Sequence, residues 1–227
     1  VNFLALAQAV KRETGLAGSG PATVSTPVLQ ESRLFTWVNW AARDITLQRE
    51  DWRFRRGTAT LASTTNQLNL PTDFGLTDFA SWKPSTRFYK PSAYRVSDGA
   101  AQERELTWMD YDLFRKTFLI GAPSPGSVQY WSISPNEELL LGPAPDSAHF
   151  IRADYVKDYA DMVADTDVPT IPARFHMLIV WRALREYGGY DAATEVYQRA
   201  AENYTAMWPQ LVQSQIEAPS FVAQSLS

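Results

Sequence analysis

The residues best suited to chemistry are five aspartates in one short stretch: Asp154, Asp158, Asp161, Asp165 and Asp167. Paired carboxylates can hold a divalent cation or carry out acid–base hydrolysis of a glycan. The stretch lacks the calcium-loop pattern, in which a glycine follows closely spaced ligands and a glutamate closes the loop. A solvated acidic loop before Pro169 is the plainer reading. Arg53, Arg55 and Arg56, interleaved with Trp52 and Phe54, form one basic-aromatic patch. Such a patch can meet nucleic acid by charge and stacking, or pair with acids inside a fold or an interface. Trp82, Tyr89, Trp108 and Trp131 are candidate stacking faces for a carbohydrate. His176 stands alone among apolar neighbours and reads as a hydrogen-bonded core histidine. The loop from Gly15 to Pro21 is glycine-rich, but no strand precedes it and it lacks the Lys and Ser/Thr of a phosphate-binding loop.

Composition narrows the classes further. The absence of cysteine excludes disulfides, thiolate metal sites and cysteine nucleophiles, and two distant histidines argue against a histidine-based metal site. No Gly-x-Ser-x-Gly elbow is present. A net charge of −4 argues against a broad nucleic-acid surface, and no apolar run reaches the ~20 residues that span a bilayer. No signal peptide is expected, because Lys11, Arg12 and Glu13 follow the apolar start rather than precede it. The expectation is therefore of no cofactor and no metal. Eight tryptophans among 227 residues point instead to interfaces.

The elements that position these residues follow from periodicity. Residues 2–14 read as a short helix, with Gly15 as its cap. A longer helix runs from Thr26–Pro27 to about Glu50, apolar over most of its circumference. Leu34, Phe35, Val38, Ala42 and Ile45 form one apolar flank; Trp37, Trp40 and Leu47 form a second, a candidate subunit interface. Residues 53–167 change character and read as an antiparallel β-rich insert. Its candidate strands are 55–61, 67–70, 87–89, 128–134, 138–141 and 149–156, and Leu106–Phe118 could hold one short helix. From 168 to 212 the pattern is a helical hairpin: a helix ended by Gly188–Gly189, then a second one capped by Asp191 and carrying an inward stripe that includes Tyr197 and Tyr204. These helices are expected to pack on the 27–50 helix. The class is thus α+β, with a discontinuous helical domain of residues 1–52 and 168–212. Residues 213–227 (QSQIEAPSFVAQSLS) hold Ile216, Phe221, Val222 and Leu226, too few apolar residues for a core, and read as an extended arm that orders on a partner.

Four pieces of text carry a family resemblance: NFLALAQAVKRETGLAGSGPATV at 2–24, WVNWAARDITLQREDWRFRRG at 37–57, LPTDFG at 70–75 and IPARFHMLIVWRALREYGGYDAATEVYQRAAENY at 171–204. In that order they resemble the adaptor proteins of tailed phages, the head-to-tail connector subunits similar to the tail tubular A type of short-tailed phages. The resemblance implies a non-enzymatic virion protein. It would form a ring of identical subunits, usually dodecameric, beneath the portal, assembled in the host cytoplasm. Implied partners are further copies of the chain, the portal protein, a tail or nozzle protein, and viral DNA passing without specific binding; no membrane is involved. The arm residues Ile216, Phe221, Val222 and Leu226 would bind the portal. A carboxylate-dependent glycan hydrolase using the aspartates, and a carbohydrate-binding tail module using the tryptophans, are the alternative readings.

Overall fold

In a computed structural model, the structure describes residues 1–216 other than 16, 19, 27, 28, 84–89 and 122, with residues 29 and 30 described in backbone only. The chain is α+β and divides into two compact units. One takes Val1–Arg55 and the chain from Tyr159 on; the other takes Arg56–Asp158.

The helical unit is built on four helices. α1 spans Phe3–Glu13, and the Asn2 side chain caps it by accepting from the Ala5 amide at 3.0 Å. α2 spans Leu29–Leu47, three residues short of the expected end; the expected Pro27 start lies outside the described residues. α4 (His176–Tyr190) and α5 (Thr194–Gln215) form the hairpin. The short α3 (Tyr111–Phe114) belongs to the other unit. α4 is central and packs against α1, α2 and α5. Its Leu178, Ile179, Ala183 and Leu184 are fully enclosed, together with Leu6, Val10, Val38 and Ile45. α5 packs chiefly on α4 rather than on α2. It meets the segment after α2 through Trp208, edge-on to Trp52 at 5.6 Å.

Three details of the hairpin differ from expectation. Gly188 and Gly189 do not end α4, which runs on to Tyr190; the chain turns at Ala192, whose φ is +50°. Gly188 is needed for closeness instead. A Cβ there would stand 2.7 Å from the Tyr197 Cβ and 3.0 Å from its Cα, so the two helices could not approach as they do. Asp191 caps nothing in α5, whose N-cap is Ala193, without a side-chain cap bond; the Asp191 carboxylate accepts from the Tyr187 hydroxyl at 2.7 Å. Tyr197 is 40% exposed, because it lies against Gly188 at the rim. The enclosed stripe of α5 is Ala200, Tyr204 and Leu211. Gly188→Ala is expected to cost about 1–3 kcal/mol in chemical denaturation, as overpacking of a tight contact does. An unchanged midpoint would show that the helices separate without cost.

The β unit has two sheets. The first contains β1 (Arg56–Thr64), β3 (Phe79–Trp82), β4 (Ser92–Arg95), β5 (Arg104–Glu105) and β9 (His149–Lys157). β9 is its spine: β1 pairs along one edge, and β4 and β3 share the other, all antiparallel. The second sheet orders β2 (Leu68–Asn69), β8 (Leu139–Gly142), β7 (Tyr130–Ile133) and β6 (Thr107–Trp108). Within it β6 runs parallel to β7, an exception to the expected antiparallel arrangement. Period-two alternation on β9 sends His149, Ile151, Ala153 and Tyr155 inward and leaves Arg152 outside. Ile151, Ala153 and Tyr155 meet Trp82, Trp131, Leu139 and Leu141 in one core. β8 is buried on both faces, because α3 (Tyr111–Phe114) and the wide turn after it cover its back. The Phe114 and Phe118 rings lie so close to Gly142 that a Cβ would come within 2.7–2.8 Å of them. The expected strand at 87–89 lies outside the described residues, and the sequence reading has no counterpart for β3 or β4.

Candidate functional site

The five aspartates are dispersed, and four of them hold their own surroundings together. Asp154, on β9, accepts from Arg56 at 2.6 and 2.9 Å and from the Thr58 hydroxyl at 2.7 Å. Asp158 closes the β unit, its amide donating to the Asp78 carbonyl at 2.7 Å. The other three belong to the helical unit. Asp161 pairs with Arg43 at 3.0 Å. Asp165 accepts from the Thr23 hydroxyl at 2.8 Å and the Val24 amide at 2.6 Å, fastening the segment that leads into α2. Asp167 accepts from the Ala164 and Val163 amides, both at 2.7 Å, and these two bonds hold its carboxyl below the usual carboxylate range. A general acid needs the opposite shift. Among the described residues no group of three or more acids and histidines stands close enough to hold a metal ion.

The other chemistry-bearing candidates resolve in the same direction. Arg55 is 5% exposed and donates to the Thr46 and Arg49 carbonyls at 3.4 and 3.2 Å. Arg56 is taken by Asp154, and Arg53 is exposed. Trp52 is buried with its indole donating to the Ile45 carbonyl at 3.2 Å, so the patch is not one binding surface. Trp82 and Trp131 lie in the β core, where neither can offer a ring face to a sugar. Trp108 is half-buried, edge-on to Trp131 at 4.7 Å, and Tyr89 lies outside the described residues. His176 is the core histidine expected of it: Nε2 lies 2.8 Å from the Ile171 carbonyl oxygen, and burial lowers its pKa. Asn39, on α2, clasps Met162 twice. Its Nδ2 donates to the Met162 carbonyl and its Oδ1 accepts from the Met162 amide, both at 3.0 Å. No local pattern announces this, because the partner is 123 residues away.

The second flank of α2 splits. Trp37 is buried in its own unit, edge-on to Tyr187 at 5.9 Å and beside Tyr190 at 5.8 Å, so it has little surface left to give to a partner. Trp40 and Leu47 remain 55% and 49% exposed, two helical turns apart on one face. The spacing separates them: Trp37 shares a stripe with the enclosed Leu34 and Ala41, Trp40 with Asp44 and Leu47. At the other end of the unit, α5 continues to Gln215, three residues into the stretch read as the arm. Ile216 packs partly buried against the helical core; Phe221, Val222 and Leu226 lie outside the described residues.

The molecule is therefore an α+β protein whose aspartates, arginines and tryptophans mostly serve its own two units, with large apolar side chains left bare on one helix. A profile of the SU10 adaptor protein family matches residues 1–221. The chain belongs to that family and is a phage adaptor protein, a structural protein of the virion. A search of curated proteins returned no match.

Proposed function

We propose that this adaptor works as a ring of identical subunits, a dodecamer of the tail tubular A kind. The ring sits beneath the portal, holds a tail or nozzle protein, and extends the channel through which viral DNA passes. Subunits assemble in the host cytoplasm. The observation that carries the reading beyond the family match is the bare face of α2. Trp40 and Leu47 are large, exposed and on one face, and apolar area of this kind gains roughly 25 cal/mol per Å² when a neighbour covers it. Portal attachment falls to the C-terminal arm, with Ile216 at its root and Phe221, Val222 and Leu226 as the apolar anchors. The acidic net charge suits a channel that must not grip DNA, since fixed phosphate contacts would impede passage. No described helix is long and apolar enough to cross a membrane.

Trp40→Glu tests the ring directly. The side chain is exposed, so the variant should fold and melt like the parent. Its assembly on portal rings should weaken on the order of tenfold or more, the effect of losing an aromatic anchor worth about 1.4 kcal/mol or more. Copies per portal, counted by native mass spectrometry and electron-microscope class averages, report the result. Full rings formed at parental concentrations would assign this face to solvent.

A further inference from the structure

Arg185, on α4, is held in an unusual way. Its guanidinium carbon lies 5.7 Å from the ring centre of Tyr197 and 5.8 Å from that of Tyr204. Those tyrosines stand two turns apart on α5, so the guanidinium sits between two aromatic faces at cation–π distance. Its Nε is buried without a hydrogen-bond acceptor. Arg95 Nε is likewise buried without a partner, but Arg95 reaches the Asp146 carboxylate through Nη2, Arg55 reaches two carbonyls and Arg182 two carboxylates, so among the half-buried or buried arginines of the described residues only Arg185 has no oxygen partner. Two acids of the helical unit, Asp44 on α2 and Glu186 beside Arg185 in the chain, are taken by Arg182. Arg185 is thus oriented and stripped of part of its water, with its planar fork of donors unmatched. An arginine in that condition is suited to a carboxylate.

Its position indicates whose. Arg182, one turn before Arg185, bonds to Asp44, which lies on α2 four residues after Trp40 and three before Leu47. The clamped arginine, the 40% exposed Tyr197 and the bare Trp40–Leu47 face therefore belong to one neighbourhood of the helical unit. Tryptophan, tyrosine and arginine are the residue types that dominate interface energetics. A second copy of this acidic chain has carboxylates to offer. We infer that Arg185, clamped by Tyr197 and Tyr204, is the charged anchor of the subunit–subunit contact and receives an Asp or Glu carboxylate from the neighbouring copy. The inference rests on the ring reading given above and names the chemistry of its interface.

Two substitutions test it, on the full chain assembled on portal rings. R185Q removes the charge while keeping a polar, planar side chain. It should melt no more than about 8 °C below the parent, since it loses only two cation–π contacts. Its assembly should weaken on the order of tenfold. R185K places an amine at the anchor, and carbodiimide coupling should join that amine to the carboxylate facing it, giving a cross-linked peptide pair from two copies. Parental assembly by R185Q would overturn the inference. So would a cross-link from R185K to a portal peptide alone, or none at all in a ring that has formed. A melting temperature that falls in step with assembly, without a cross-link, would make Arg185 a residue of its own fold and would also overturn it. If the unsubstituted chain forms no multi-copy particle on portal, the ring reading itself fails, a result distinct from all of these.

Discussion

A chain ending at Ile216 is expected to melt within about 2 °C of the full-length protein, yet to lose attachment to portal-bearing heads by a factor on the order of 10² or more. The cut belongs after Ile216, because α5 runs to Gln215 and Ile216 packs on the helical core; an earlier cut would fray the helix and confuse the two readouts. Residues 217–227 carry Phe221, Val222 and Leu226 with a single charge at Glu217. Laying such a segment into a partner's groove costs conformational entropy, so one arm binds weakly. In the proposed ring many arms are presented together, and each arm that engages would raise the effective concentration of the next. The loss on truncation is correspondingly steep. Thermal melting and co-sedimentation with heads measure the two halves. Normal co-sedimentation would remove the docking role from this segment, and a collapsed melting temperature would return it to its own subunit's core.

Trp52→Ala should be the most damaging single change to the helical unit, at about 3–5 kcal/mol. The side chain is 1% exposed, stacked on Phe54 at 5.5 Å and edge-on to Trp208 at 5.6 Å. Its removal leaves a cavity and orphans the Ile45 carbonyl that the indole satisfies. Since whole domains are stable by about 5–15 kcal/mol, a loss of this size takes from roughly a fifth to all of the reserve. Urea denaturation checks it. A cost under about 1 kcal/mol would mean that the chain between α2 and β1 can refill the space.

How much could be read from sequence depended on whether the governing contact was local. α1, α4 and α5 were legible because their apolar residues recur every three or four positions along many turns. β9 was legible through its alternation. β3 and β4 were not: each has four residues, and what makes them strands is pairing with β9, some 55–80 positions further on. Gly188 was correctly marked as special but given the wrong task. A glycine near a turn suggests a cap, whereas the reason it must lack a side chain is Tyr197 on the facing helix. The same limit governed the candidate sites. Five aspartates within fourteen positions suggest a constellation, but Arg56, Arg43 and Thr23, which determine what three of them do, come from distant parts of the chain. Trp40 and Leu47 were singled out from spacing alone, and both are exposed. The same reasoning put Trp37 with them, because Tyr187 and Tyr190, which cover it, are 150 residues downstream.

The pairing of Arg56 with Val156 has a meaning beyond the β sheet itself. The first and last strands of the insert are neighbours, so the chain leaves and re-enters at points about 5 Å apart. To the helical unit, more than a hundred inserted residues are topologically equivalent to a tight hairpin loop. Such an arrangement lets the insert be exchanged for another without re-threading the helices around it. A lineage could then re-tailor what hangs from its connector while the helical half stays as it is.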